Sequence, residues 1–189
     1  MRVLRPDRRA VSLEGWFLKN FHPGIMDYLT VELRLSEEEL AEEFRIWRRF
    51  TRGRLAGFYP GILDALKEYR SLGGKTVVVS HSEKRIIEWH YGVQGFLPDL
   101  ILGWVEDETK RKPSPWPVYR VLEVFNAGLN DILVVDDLKP GVLMARQAGV
   151  RIAAAGWGHR IALIEDYMRA TCDMYLRSID EFRDTILQA

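Results

Sequence analysis

The sequence predicts an α/β fold, a parallel sheet layered between helices, with a small helical unit in front of it. Three observations carry that prediction. From about Tyr59 onward short apolar runs alternate with amphipathic stretches, the pattern of repeated βα units. One of the runs, Lys75 to Val79, is a continuous β-branched stretch that suits a strand covered on both faces. Before Tyr59 the chain shows helical periodicity and no clear strand.

The helical unit comes first. Ser36 followed by Glu37, Glu38 and Glu39 reads as an N-cap with an acidic first turn, leading into Leu40, Phe44, Trp47 and Phe50 at helical spacing. Two or three helices fill this region, and its boundary is expected near Gly57, giving residues 1–57 and 58–189 as the two parts. Pro60-Gly61 opens the next helix, which carries Ile62, Leu63, Leu66 and Tyr69 and stops at Gly73-Gly74. Four strands are expected after it: Lys75 to Val79, Asp99 to Leu102, Asp131 to Val135 and Val150 to Ala155.

A chain of 189 residues with 47% hydrophobic and 29% charged residues can bury a core without staples. Its 27 basic and 27 acidic side chains balance, so neither nucleic acid nor an anionic membrane is an expected partner. The single cysteine, Cys172, excludes an internal disulfide and a multi-cysteine zinc site, which fits a reducing compartment; a cytoplasmic location is the expectation. No apolar run approaches the ~18 residues needed to span a bilayer.

In an open parallel sheet, ligands bind beyond the carboxyl ends of the strands. Three such places are informative. Val77-Val78-Val79 leads into Ser80, His81 and Ser82, a hydroxyl followed by the backbone N–H groups of a new helix, which suits a phosphate or serves as a plain helix cap. Ile132 to Val135 leads into Asp136-Asp137, adjacent carboxylates that are costly unless a cation lies between them; Mg²⁺ takes such a pair with water and phosphate oxygens. The bland alternative is that one of the two caps the helix at Pro140-Gly141. Between these, Lys110-Arg111-Lys112 precedes Pro113-Ser114-Pro115-Trp116-Pro117, a stiffened loop able to aim a lysine at an anion, or simply solvated surface.

Order and spacing join these signals. Strand then Ser80, Lys112-Pro113 before a helix, strand then Asp136-Asp137, and Ala148-Gly149 beyond resemble motifs two, three and four of the haloacid dehalogenase (HAD) superfamily over about residues 58–157. Tyr59-Pro60-Gly61 and Ala155-Gly156-Trp157-Gly158-His159 resemble its phosphoglycolate-phosphatase-like branch. The resemblance implies a three-layer Rossmann-like core with a helical cap, and a Mg²⁺-dependent phosphatase acting on a phosphorylated small molecule. It further implies that Ser80, with His81 beside it, binds the phosphoryl group, that Lys112 neutralises its charge as the catalytic cation, and that Asp136 and Asp137 hold the metal. The family commonly has a second acid four residues beyond Asp137; here that position is Gly141, so the ion is expected to be weakly held.

In the family an Asp-x-Asp at the end of the first core strand supplies the attacking carboxylate and the general acid. No two aspartates in this sequence are separated by a single residue. Two accounts remain open. In one, Val11-Ser12-Leu13-Glu14-Gly15 is a degenerate version with Ser12 in the nucleophile's place; Asp7, behind Pro6, is a poorer choice. In the other, the first strand lies in sequence preceding Met1, which would leave two strand edges unpaired and an apolar slot open. The expected functions are accordingly an HAD-type phosphatase missing its nucleophile, or a non-catalytic relative that binds a phosphorylated ligand or a protein.

Overall fold

A computed structural model describes residues 10–188, and the chain divides into two compact units between Leu55 and Ala56. In the first unit, Ser12 caps α1 (Leu13–Phe21) by accepting a hydrogen bond from the Gly15 N–H at 3.0 Å. A short α2 (Ile25–Asp27) runs into a π-helical turn over Tyr28–Glu32, and α3 (Glu37–Arg52) follows. Both halves of a capping box start α3: Ser36 Oγ accepts from the Glu39 N–H at 3.3 Å, and the Glu39 carboxylate accepts from the Ser36 N–H at 2.9 Å. Such a cap is worth about 1 kcal/mol. The core of this unit is Tyr28, Leu29, Leu33 and Leu35, with Val11, Ile25 and Leu40 packed against them.

The second unit is a run of βα repeats. It comprises α4 (Ile62–Ser71), β1 (Val77–Val79), α5 (Lys84–Val93), β2 (Leu100–Leu102), α6 (Trp116–Phe125), β3 (Leu133–Asp136), α7 (Lys139–Ala148), β4 (Arg151–Ala155), α8 (Ala162–Thr171), β5 (Met174–Leu176) and α9 (Ile179–Leu187). Every strand pair is parallel. Gly149 closes α7 with φ +75°, a left-handed C-terminus that lets the chain turn straight into β4.

The strands form two groups. β1 pairs with β2, Val78 opposite Ile101, while β3, β4 and β5 make a three-stranded sheet with β4 central. β1, β2 and β4 fall within the expected runs, and β3 starts inside its run but extends one residue beyond it to Asp136. The fifth, β5, went unread because it is three residues long and has no β-branched side chain. β4 is the buried spine: Ile152, Ala153 and Ala154 are at most 1% exposed. Small alanines there let Ala65 of α4 and Phe182 and Ile186 of α9 close over the sheet with Leu176 of β5. Between β1 and β3 lies a cavity of about 570 Å³, walled by both strands and by helices above and below. Among the described residues no helix is long and apolar enough to cross a membrane.

Candidate functional site

The site forms where β1 and β3 end. Val79 is the last residue of β1, so Ser80 and His81 leave at its carboxyl end; Ser80 N–H still bonds the Leu102 carbonyl of β2 at 3.0 Å, which fixes the direction of exit. The Ser80 hydroxyl oxygen accepts from the Ser82 N–H at 3.0 Å, leaving its own O–H to donate elsewhere. Close contact shapes this turn too: a Cβ added at Gly103 would lie 2.5 Å from the Lys84 nitrogen, so only glycine lets β2's exit pass the start of α5.

Lys112 crosses to the other group of strands. Its Nζ donates to Asp136 Oδ2 at 2.5 Å, and both side chains are largely buried. The remaining oxygen of Asp136 accepts from the Leu138 N–H at 3.0 Å, just before α7 begins. Asp136 therefore caps the turn into α7 and pairs with Lys112 at once. His81 ties the two ends together by donating from Nε2 to the Lys112 carbonyl at 3.0 Å. Burial pushes the His81 imidazole below its ordinary pKa, and the Lys112 and Arg111 charges push the same way, so the ring is neutral around pH 7.

Asp137 lies beside this pair. Burial raises its carboxyl pKa, and the adjacent Asp136 charge adds to the rise against the pull of Lys112 and His159. An anion disfavoured in this way is one that a hard cation relieves, and two neighbouring carboxylates are the donor type that a divalent ion of the magnesium kind takes. The protein's share is small: the described residues contain no group of three or more His, Cys, Asp or Glu side chains placed to hold a metal. At Gly141 the space is already taken, since a Cβ there would sit 2.2 Å from the Asp136 carboxyl carbon.

The structure brings His81, Lys112 and Asp136 into direct contact, with Ser80 and Asp137 their neighbours along the chain. It sorts the basic cluster that the sequence presented as one feature. Lys110 pairs outward with Asp107 at 3.1 Å. Arg111 is 8% exposed, stacks 3.9 Å from the Trp104 ring and donates to the Val105 and Glu106 carbonyls. Lys112 alone of the three reaches the site.

Ser12 and Glu14 are not at a strand end. They start α1, which corrects the reading of Val11 to Gly15 as a degenerate nucleophile motif; Ser12 is a helix cap. Asp7 lies outside the described residues. Sequence reasoning quoted Tyr59 and His159 only as members of the two family-like stretches and gave neither a role; in the structure His159 Nε2 donates to the Asp137 carbonyl at 3.1 Å and the Tyr59 hydroxyl donates to the Gly158 carbonyl at 3.2 Å.

Comparisons with known proteins bear on the family and the fold. The haloacid dehalogenase-like hydrolase family model matches residues 22–155. A phosphoglycolate phosphatase of Aquifex aeolicus is 32% identical over 105 residues, covering 53% of this chain and 48% of that protein. The chain spans about half the length of the curated relatives it matches first. Among solved structures, a haloacid dehalogenase-like protein of Agrobacterium tumefaciens superposes with a TM-score of 0.72 at 17% identity, covering 99% of this chain and 87% of that one. CbbY of Rhodobacter sphaeroides, solved with xylulose-(1,5)-bisphosphate, gives 0.68 at 18% identity, with 94% and 84% covered. The parallel βα core and a family match over most of the sequence lead to one conclusion: the chain belongs to the haloacid dehalogenase-like hydrolase family.

Proposed function

We propose that this chain is the phosphate-handling part of a Mg²⁺-dependent phosphomonoesterase acting on a phosphorylated small molecule, without the carboxylate that attacks phosphorus. The Lys112–Asp136 pair, with Asp136 ending β3 and Lys112 on the loop before α6, carries the reading. A buried lysine held on a carboxylate is arranged to exchange that partner for a phosphoryl oxygen, and the Ser80 O–H is a second donor for the same group. In this reading Ser80 donates its O–H to the phosphoryl group and Lys112 neutralises its charge. His81, neutral and bound to the Lys112 carbonyl, fixes the lysine's backbone. Asp136 and Asp137 would hold Mg²⁺, which supplies charge neutralisation at the phosphate when bound. The helical unit before Ala56 serves as the cap. Relatives named for phosphoglycolate and a neighbour holding a sugar bisphosphate support a small phosphorylated substrate.

Missing from the described residues is a carboxylate at the end of a strand between β1 and β3. Positioning and electrostatic help alone leave a trace rate, because losing a nucleophile costs several orders of magnitude in other hydrolases. Steady-state hydrolysis of an aryl phosphate with Mg²⁺ tests this. The expected result is turnover at or near background, raised by adding an Asp-x-Asp-bearing strand and lost again in Lys112→Met or Asp137→Ala. Robust turnover of the chain alone, abolished by Ser12→Ala, would overturn the reading. A non-catalytic role as a binder of a phosphorylated ligand is distinguished by orthophosphate binding that persists while no added strand restores turnover.

A further inference from the structure

Arg111 is a buried cation that the proposed phosphate chemistry does not use. It directly precedes Lys112, yet its guanidinium binds the loop between β2 and α6. Nη1 donates to the Val105 carbonyl at 2.7 Å and to the Glu106 carbonyl at 3.1 Å, while Nη2 donates to the Glu108 carboxylate at 2.5 Å. The guanidinium carbon lies 3.9 Å from the centre of the Trp104 ring. Burying a charge is costly, and an apolar side chain of similar volume often serves stability as well or better. What an arginine adds is shape. Its rigid planar fork holds several points of a loop at fixed angles while stacking on a ring.

The loop held in this way leads to Lys112 by two routes. Along the chain, the Arg111 carbonyl accepts from the Ser114 N–H at 2.9 Å, which closes a turn around the lysine. Through space, the Trp104 ring meets the His81 ring edge to face, 6.2 Å away at 82°, and the Trp104 backbone N–H donates to the Ser82 carbonyl at 2.8 Å. His81 in turn donates to the Lys112 carbonyl at 3.0 Å. Gly103 leaves this approach no slack, because a Cβ there would lie 2.8 Å from the Ser82 carbonyl oxygen. Contacts therefore run in a closed circuit from residue 111, across two rings, and back to residue 112.

We propose that Arg111 and Trp104 are positioning residues for Lys112, holding its backbone so that the ammonium reaches Asp136 and, on the phosphate reading above, a phosphoryl oxygen in the same place. Lysine carries its charge on a flexible stem, so the position of the charge is only as definite as the backbone beneath it. The circuit fixes that backbone from both sides. Neither residue touches the phosphoryl group; each acts through the lysine.

The experiment reads the lysine itself. In the full chain without ligand, the Lys112 ammonium is followed by nitrogen–proton correlation NMR, its signal assigned by its loss in Lys112→Met. Arg111→Met keeps an apolar stem and Arg111→Lys keeps the charge, but neither has the fork, so both are expected to shift or broaden the signal. Trp104→Leu is expected to do the same, and Trp104→Phe, which restores an aromatic face, to stay close to the native chain. Asp99→Asn loosens the opposite end of the β1–β2 pair and is expected to leave the signal in place, which separates positioning from a general loss of stability. A native signal in Arg111→Met and Trp104→Leu would overturn the proposal. So would a native signal in Arg111→Lys, which would make Arg111 a charge and not a brace; this mildest variant decides the matter if the others do not fold. Titration with orthophosphate tests the reading on which the proposal rests. Affinity is expected to fall about tenfold in Arg111→Met, with no further loss when that change is added to Lys112→Met. An equal loss in both backgrounds would mean that Arg111 acts on phosphate directly, and would also overturn the proposal. If the native chain binds no orthophosphate, the phosphate reading falls, while the Lys112 signal still decides the positioning.

Discussion

The two groups of strands on either side of the cavity are built by different means. In the three-stranded group β4 is covered on both faces, and Ile152, Ala153, Met144 and Ile164 are at most 2% exposed. The two-stranded group has no central strand, and all three residues of β1 remain half-buried. It is fastened at its amino end by polar contacts instead. Asp99 accepts from the Thr76 N–H and hydroxyl, both at 2.9 Å, and from Arg70 at 3.3 Å, while Arg70 also donates to the Thr76 hydroxyl at 2.8 Å. Dispersion and area hold one group, and a hydrogen-bonded clamp holds the other. A strand covered on both faces gains packing from each neighbour, whereas an edge strand over a void forfeits contacts on that side.

Three substitutions break or sharpen the contrast. The largest effect is expected from Ile152→Ala, which opens a cavity at a site with no exposure and should cost about 3 kcal/mol, read from the midpoint of urea unfolding. Next is Asp99→Asn, which weakens the clamp by about 1 kcal/mol at neutral pH. Asp99 is held below the usual carboxylate range: burial pushes its pKa up, but the Thr76 hydrogen bonds and the Arg70 and Lys75 charges outweigh it. Its contribution is therefore complete above the ordinary carboxylate pKa and is lost as pH falls through the depressed one. The gap between wild type and Asp99→Asn should close on acidification, and a gap that stays constant to low pH would show that the charge plays no part. The smallest effect belongs to Val78→Ala, under about 1 kcal/mol, because the residue is only half-buried. A loss as large as that of Ile152→Ala would mean that β1 is covered as fully as β4 in solution.

Much of this was legible in the sequence. Val77-Val78-Val79 and Ile132 to Val135 announced their strands by unbroken β-branched or aliphatic runs, and Ser36 with Glu39 announced α3 through side chains that act within one turn. Ser80 and Asp136 were expected at strand ends, and they are: Ser80 follows β1 and Asp136 ends β3. What could not be read depends on long-range contact. Arg111 and Lys112 are neighbours of one charge, and the Trp104 ring with the Val105 and Glu106 carbonyls decides which of them turns away. Ser12 looked like part of a strand-end motif because hydroxyl caps and hydroxyl nucleophiles share the same short sequences. β5 is a strand because Ala153 to Ala155 lie ready to pair with it, not through any preference of Met174 to Leu176.

The contact at Gly141 makes two positions into a single choice. With Asp136 turned toward Lys112, any side chain at 141 would collide with that carboxylate. A designer who wished to move the second acid to the first turn of α7 could not do so by Gly141→Asp alone, for the new aspartate would have to displace the old one from its lysine. Paired with Asp136→Gly, the same exchange becomes permissible: one carboxylate leaves the end of β3, another appears on α7, and the local charge is conserved. Positions 136 and 141 should therefore be varied as a pair in any library built on this scaffold, with the doubly exchanged protein folding better than the Gly141→Asp single variant.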